Sequence, residues 1–165
     1  MVQSDERAPI SSPAPWLFAV VYALHLLDEG TLAGGLAHWS TEHGFHFTIE
    51  NWLFVNAVSI CLVIAAVTLV ARHTLPSWVL VSLSVHITLH AFAHLGASLW
   101  WWSLSPGAIT GLLLALPLAI WGLRWGRRAL EPRAFVRAAL IGAATFQAPW
   151  DLVVRLLFGL RVWSA

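Results

Sequence analysis

Three groups of polar and ionisable residues sit inside apolar stretches of this chain, and their types are those of a metal site. His25, Asp28 and Glu29 lie in the first apolar segment, His86, His90 and His94 in the third, and Gln147, Asp151 and Arg155 in the last. An Asp or Arg at the centre of a bilayer costs roughly 2.5–3.5 kcal/mol on insertion scales, so repeated burial implies use. Residues i, i+3 and i+4 share one helix face, which turns His25 toward the same side as Asp28 and Glu29. A His with a carboxylate one turn on can bind one metal, or the carboxylate can serve as base beside a metal-activated water. The competing reading ends the helix at Gly30 and leaves Asp28 and Glu29 in water.

His86, His90 and His94 recur every four residues and so form a narrow stripe. His90-x-x-x-His94 is the spacing by which a helix presents two imidazoles to one ion. Interhelical hydrogen bonding is the alternative, and His86 fits it best of the three. Asn56 is the strong polar group in the middle of the second segment. Metal binding, ligand orientation and a plain hydrogen bond across the bundle all suit it. Gln147, Asp151 and Arg155 stand at i, i+4 and i+8. Asp151 and Arg155 can neutralise each other, or Asp151 can support a ligating His. His38, Glu42, His43, His46 and Glu50 crowd one stretch between apolar segments, as a solvated loop, a surface metal site or a lid.

The elements that position these groups follow from composition. Of 165 residues, 59% are hydrophobic and 10% charged, with a mean hydropathy of +0.75. Soluble domains carry about 25% charged residues, so the chain is expected to be an integral membrane protein of one domain, residues 15–163, behind a disordered tail over 1–14. The tail has mixed charges and the apolar run begins only at Trp16, unlike a secretory signal. All nine basic residues are Arg, and the net charge of +1 gives no reason to expect nucleic acid as a partner. The single cysteine, Cys61, excludes an intramolecular disulfide. Eleven Trp suit the aromatic belts of a membrane protein.

About 20 apolar residues cross a bilayer, and five segments qualify: Trp16 to Ala37, Trp52 to Val70, Ser77 to Trp102, Gly107 to Trp125 and Phe135 to Leu160. Pro117 and Pro149 predict kinks in the last two. An all-α bundle of about five transmembrane helices is the expected fold. With five spans, Arg7, Arg72, Arg124, Arg127, Arg128, Arg133 and Arg137 fall on the N-terminal side, and Arg161 on the other. The positive-inside rule then puts the N-terminus in the cytoplasm and the C-terminus outside.

Counting 1.5 Å per residue from that side, His25 lies about 14 Å and Glu29 about 20 Å past Trp16, and His90 and His94 about 18 and 24 Å past Trp78. Asp151 lies about 21 Å past Arg137, and Asn56 about 6 Å in from Trp52 on the far side. These residues are therefore expected in one slab in the outer half of the bilayer.

The same residues resemble a family of bacterial membrane proteins named for an HxxEE motif. His25-Leu-Leu-Asp28-Glu29 looks like the naming motif with Asp in place of its first Glu. His90-x-x-x-His94 looks like the family's later Asn/His-x-x-x-His element. Ser105-Pro106-Gly107-Ala108-Ile109-Thr110 looks like its Pro-Gly-x-x-Thr helix start, and Asn56 stands where the family tends to carry Asn. The likeness covers about residues 20 to 122. It implies a small helical protein of the bacterial inner membrane with a suspected metal centre, and it implies no reaction. The shorter Asp28 makes Glu29 the better ligand.

The leading expectation is a membrane metalloenzyme acting on a lipid or other hydrophobic small molecule. His25, His90 and His94 would hold the metal, with Glu29 as fourth ligand or general base and Asp28 beside it. Asn56 and Asp151 would support the site. Zinc and hydrolysis by activated water come first. A di-iron oxidoreductase with carboxylates bridging the metals comes second. A haem or ligand binder and a metal-free His/Glu isomerase are the other rivals.

Overall fold

The fold is set by where prolines and glycines interrupt long apolar runs. In the computed structural model the residues described are 13–31, 34–45 and 47–145. Helix α1 (Trp16–Thr31) starts directly behind Pro13 and Pro15. It ends at Thr31, one residue past Gly30, but Glu29 is buried and Asp28 half-buried, so the reading that left both carboxylates in water is replaced. Gly34 and Gly35 follow at φ 80° and 87°, values that L side chains rarely adopt. The chain then resumes as a short helix α2 (Leu36–Glu42), at 48° to α1. The expected segment from Trp16 to Ala37 is thus a broken pair, and part of the expected loop after it is helical.

Helix α3 (Ile49–Ala71) begins at Thr48, whose hydroxyl accepts the Asn51 N–H, with Glu50 in its positive first turn. Its 23 residues reach about 34 Å, enough for a hydrocarbon core of about 30 Å. Helix α4 (Trp78–Trp101) follows Pro76 and ends at Trp102, which is left-handed at φ 49°. Helix α5 (Ala108–Ala129) opens after Gly107. The kink expected at Pro117 takes the form of a π-helical turn over Gly111–Ala115. Proline lacks the N–H for the carbonyl four residues back and crowds it. That residue is Leu113, inside the widened turn. Helix α6 (Pro132–Ala144) starts with Pro at its first position.

Among the described residues α3, α4 and α5 are each long and apolar enough to cross a membrane, and α1 with α2 makes a fourth if the pair is one span. Helix α6 covers only the opening of the expected fifth segment. Gln147, Pro149, Asp151 and Arg155 lie outside the described residues.

Helix α4 is central. Phe18 from α1, Val67 and Val70 from α3, Leu80 from α4 and Leu118 from α5 form one buried cluster. Val81, Leu130, Ala134 and Ala138 form a second, where α4 meets α6. Close approach of α4 to α5 and to α6 needs residues without side chains: a Cβ on Gly122 of α5 would strike Ser84, and one on Gly142 of α6 the Ser82 backbone. Ser82 Oγ also donates to the Ala138 carbonyl at 2.8 Å. Helix α3 is peripheral and shows apolar residues such as Leu53, Leu62 and Ile64 to its surroundings, as a lipid-facing helix does.

Candidate metal centre

Two helices each contribute a pair spaced by one turn. Helix α1 supplies His25 and Glu29, and α4 supplies His90 and His94. Their inner atoms converge. His90 Nε2 stands 3.0 Å from His25 Nε2, 3.2 Å from His94 Nε2 and 3.3 Å from Glu29 Oε1. Glu29 Oε1 is also 3.2 Å from His25 Nε2 and 3.0 Å from His94 Nε2. His25 and Glu29 are each 2% exposed and His94 7%. The His90 side chain, at 27%, is the accessible member.

This donor set fits a metal ion. A neutral imidazole nitrogen carries at most one hydrogen, and an ionised carboxylate carries none. His90 Nε2 faces the Nε2 atoms of both His25 and His94 at 3.0 and 3.2 Å, so these three nitrogens cannot all carry hydrogens, and one central cation could bind the lone pairs they and Glu29 present. The spacing agrees: bonds of 2.0–2.1 Å to a tetrahedral ion place ligands about 3.3 Å apart. A metal would also neutralise a carboxylate that is otherwise expensive to bury.

The outer oxygen of Glu29 is tied back. Its Oε2 accepts from Trp52 Nε1 at 3.1 Å and Asn56 Nδ2 at 3.4 Å, and Asn56 Oδ1 accepts from Tyr22 at 3.2 Å. Asn56 thus holds the Glu29 carboxylate in place and does not belong to the four-atom cluster itself. Asp28, grouped with Glu29 from the sequence, points elsewhere. Its Oδ2 accepts both the backbone N–H of Thr110 at 2.9 Å and the Thr110 hydroxyl at 2.7 Å.

The chain between α4 and α5 covers the site. Ser98 Oγ donates to the His94 carbonyl and accepts the Ser105 N–H, fixing this connection to α4. Gly107, at φ 89°, lies over the cluster: a Cβ there would come within 2.8 Å of His25 Cε1, 2.9 Å of His94 Cε1 and 3.0 Å of Glu29 Cγ. One turn on, Gly111 packs on Ala91.

His86 stands apart from the cluster, stacked on His90 with ring centroids 6.4 Å apart and hydrogen-bonded to the Thr145 backbone. His38 pairs with Glu42 at 3.2 Å on the exposed side of α2. His43 stacks on Trp39, and both meet Trp101. These contacts dock α2 on the end of α4. His46 and Asp151 are outside the described residues. Sequence reasoning did not single out Thr110, Ser105, Gly107, Trp52 or Tyr22 as site residues. The first three lie in the segment read only as a helix start.

The fold and this cluster define an all-helical membrane protein with a buried three-His, one-Glu group that could hold a metal ion. The family model described as "protein of unknown function with HXXEE motif" matches residues 16–122, well over half of the chain, and the chain belongs to that family. Those bounds take in α1, α3, α4 and the roof of the site. No curated protein and no solved structure matches the chain.

Proposed function

We propose that this protein is a membrane-embedded metal-dependent enzyme acting on a lipid or other hydrophobic small molecule, most simply by hydrolysis. The observation that carries the reading is the convergence of His25, Glu29, His90 and His94 on one point. Zinc is the favoured ion, because nitrogen and carboxylate donors at tetrahedral spacing suit it, and iron is second. When bound, such an ion supplies Lewis acidity for polarising a carbonyl and activating water. The chain's own residues supply the rest. His25, His90 and His94 hold the ion. Glu29, held through its outer oxygen by Trp52 and Asn56, presents one oxygen to the cluster, as fourth ligand or as general base beside a metal-activated water. The accessible edge at His90 is the side from which a substrate reaches the centre. That substrate is hydrophobic because the helices around the site present apolar side chains outward. The arginine distribution over five spans puts the N-terminus in the cytoplasm, and the inner membrane of a bacterium is the setting we propose.

The cluster supports one ion rather than two, since among the described residues it gathers a single carboxylate. A haem carries its axial imidazoles on opposite faces, whereas His25 and His90 approach to 3.0 Å on one side. A second reading has a specific observation behind it. Four protein donors complete a tetrahedron, and closed sites of that kind are commonly structural. Elemental analysis of detergent-purified protein tests the metal. The expected result is about one zinc per chain, absent from the His90→Ala/His94→Ala variant. Turnover of lipid esters or amides that stops on chelation would establish the enzyme. Bound zinc without any such turnover would favour the structural reading, and full zinc retention by the double variant would refute the ligand set.

A further inference from the structure

We infer that Thr110, oriented by Asp28, sets which nitrogen of His25 carries the hydrogen and so aims a bare Nε2 into the cluster. The inference deepens the metal reading and rests on it only for the use to which that nitrogen is put. His25 Nδ1 lies 2.9 Å from Thr110 Oγ1. A threonine hydroxyl has one hydrogen to give and lone pairs to receive. Its hydrogen has two other claimants, Asp28 Oδ2 at 2.7 Å and the Gly107 carbonyl at 3.4 Å. Both accept only, and a short bond to a carboxylate is the stronger. The hydroxyl hydrogen therefore goes to Asp28. What remains facing His25 is a lone pair, and Nδ1 must supply the hydrogen. A neutral imidazole carries one hydrogen, so Nε2 is left as a lone pair. That atom points at His90 Nε2 and Glu29 Oε1.

Asp28 holds this arrangement twice over. The same Oδ2 accepts the Thr110 backbone N–H, close to the N-terminus of α5, where negative charge is favoured. The helix start and the hydroxyl are thus fixed by one carboxylate, and the bridge ties α5 to α1 beside the ligand. This gives the Asp of His25-Leu-Leu-Asp28-Glu29 and the Thr of Pro106-Gly107-Ala108-Ile109-Thr110 a shared task. Thr110 and Asp28 are positioning residues that act through His25. Metal ligands oriented in this way lose about 10–100-fold in affinity when the partner is removed.

The test reads the ring directly. Protein with 15N-labelled histidine is purified without metal in detergent, and long-range 1H–15N spectra are recorded, with His25 assigned by its loss in His25→Gln. The expected wild-type pattern is a hydrogen on Nδ1 of His25. Thr110→Val should scramble that pattern and weaken zinc binding about 10–100-fold, and Thr110→Ser should restore both. A His25 ring with its hydrogen on Nε2 alone in the wild type overturns the inference even if the valine variant does not fold. An unchanged His25 pattern in Thr110→Val also overturns it. Wild-type protein with the expected ring pattern that takes up no zinc would instead overturn the metal reading and leave this one standing.

Discussion

His90 Nε2 and His25 Nε2 face each other at 3.0 Å across two helices, with Glu29 Oε1 within 3.3 Å of both. Two imidazole nitrogens at this distance share at most one hydrogen bond, and the third neighbour is itself an acceptor. Replacement of any one of the four donors should therefore be felt at the metal rather than in the fold. Glu29→Gln keeps size and removes the charge, and His94→Ala removes one nitrogen. Each is expected to lower zinc affinity at least tenfold and abolish turnover, with near-normal yield of folded protein. Zinc titration in detergent checks this, and a Glu29→Gln protein that binds zinc as tightly as wild type would mean that the carboxylate is not a ligand.

Trp52 and Asn56 determine which oxygen Glu29 offers. With both donors removed, as in Trp52→Phe combined with Asn56→Ala, Oε2 is free to swing toward the centre. We expect zinc affinity to drop about 10–100-fold without loss of the one-ion stoichiometry. The measurement is the same titration. Unaltered affinity would show that Glu29 is held by packing alone.

Much of this was legible in the sequence for a physical reason. A charged or imidazole group inside an apolar run is visible without a structure, because its cost marks it. The pairs His25/Glu29 and His90/His94 were therefore readable, and 1.5 Å per residue placed them at one depth. Helix α4 was placed to within one residue at each end and α3 to within three, since length and apolar content define a span. What joins helices was not readable. Thr110 and Ser105 are ordinary residues at a helix start, and their role depends on which side chain of another helix meets them. Asp28 looked like a partner of Glu29 because they are adjacent in sequence. Neighbours on a helix are separated by about 100°, so one faces the cluster and the other faces α5. The break at Gly34 and Gly35 was obscured because the surrounding residues are apolar enough to suit a continuous span.

Zinc should couple to stability. A ligand that binds only the folded state stabilises it, by about 2.7 kcal/mol at a hundredfold excess over its Kd. Thermal unfolding in detergent should therefore shift upward with zinc and return on chelation, and the His90→Ala/His94→Ala protein should not respond. Because the imidazoles must be unprotonated to bind, protons compete with the metal, and the shift should shrink as pH falls. A stabilisation that persists unchanged into acid, or that the double variant shares, would place the ion elsewhere.

Gly107 offers the sharpest contrast. It and Gly44 have nearly the same backbone, φ 89° and 83°, so an Ala at either carries a similar conformational penalty, about 1–2 kcal/mol. Their surroundings differ. A Cβ at Gly44 meets nothing within 4 Å, whereas one at Gly107 presses on His25, His94 and Glu29 together. Gly44→Ala should therefore cost only that penalty and leave zinc binding intact. Gly107→Ala should cost more, since two imidazoles and a carboxylate must shift, and should lower zinc affinity at least tenfold. Thermal unfolding with and without zinc, run on both variants, compares them. Equal destabilisation and equal zinc response would mean that the connection between α4 and α5 does not roof the centre.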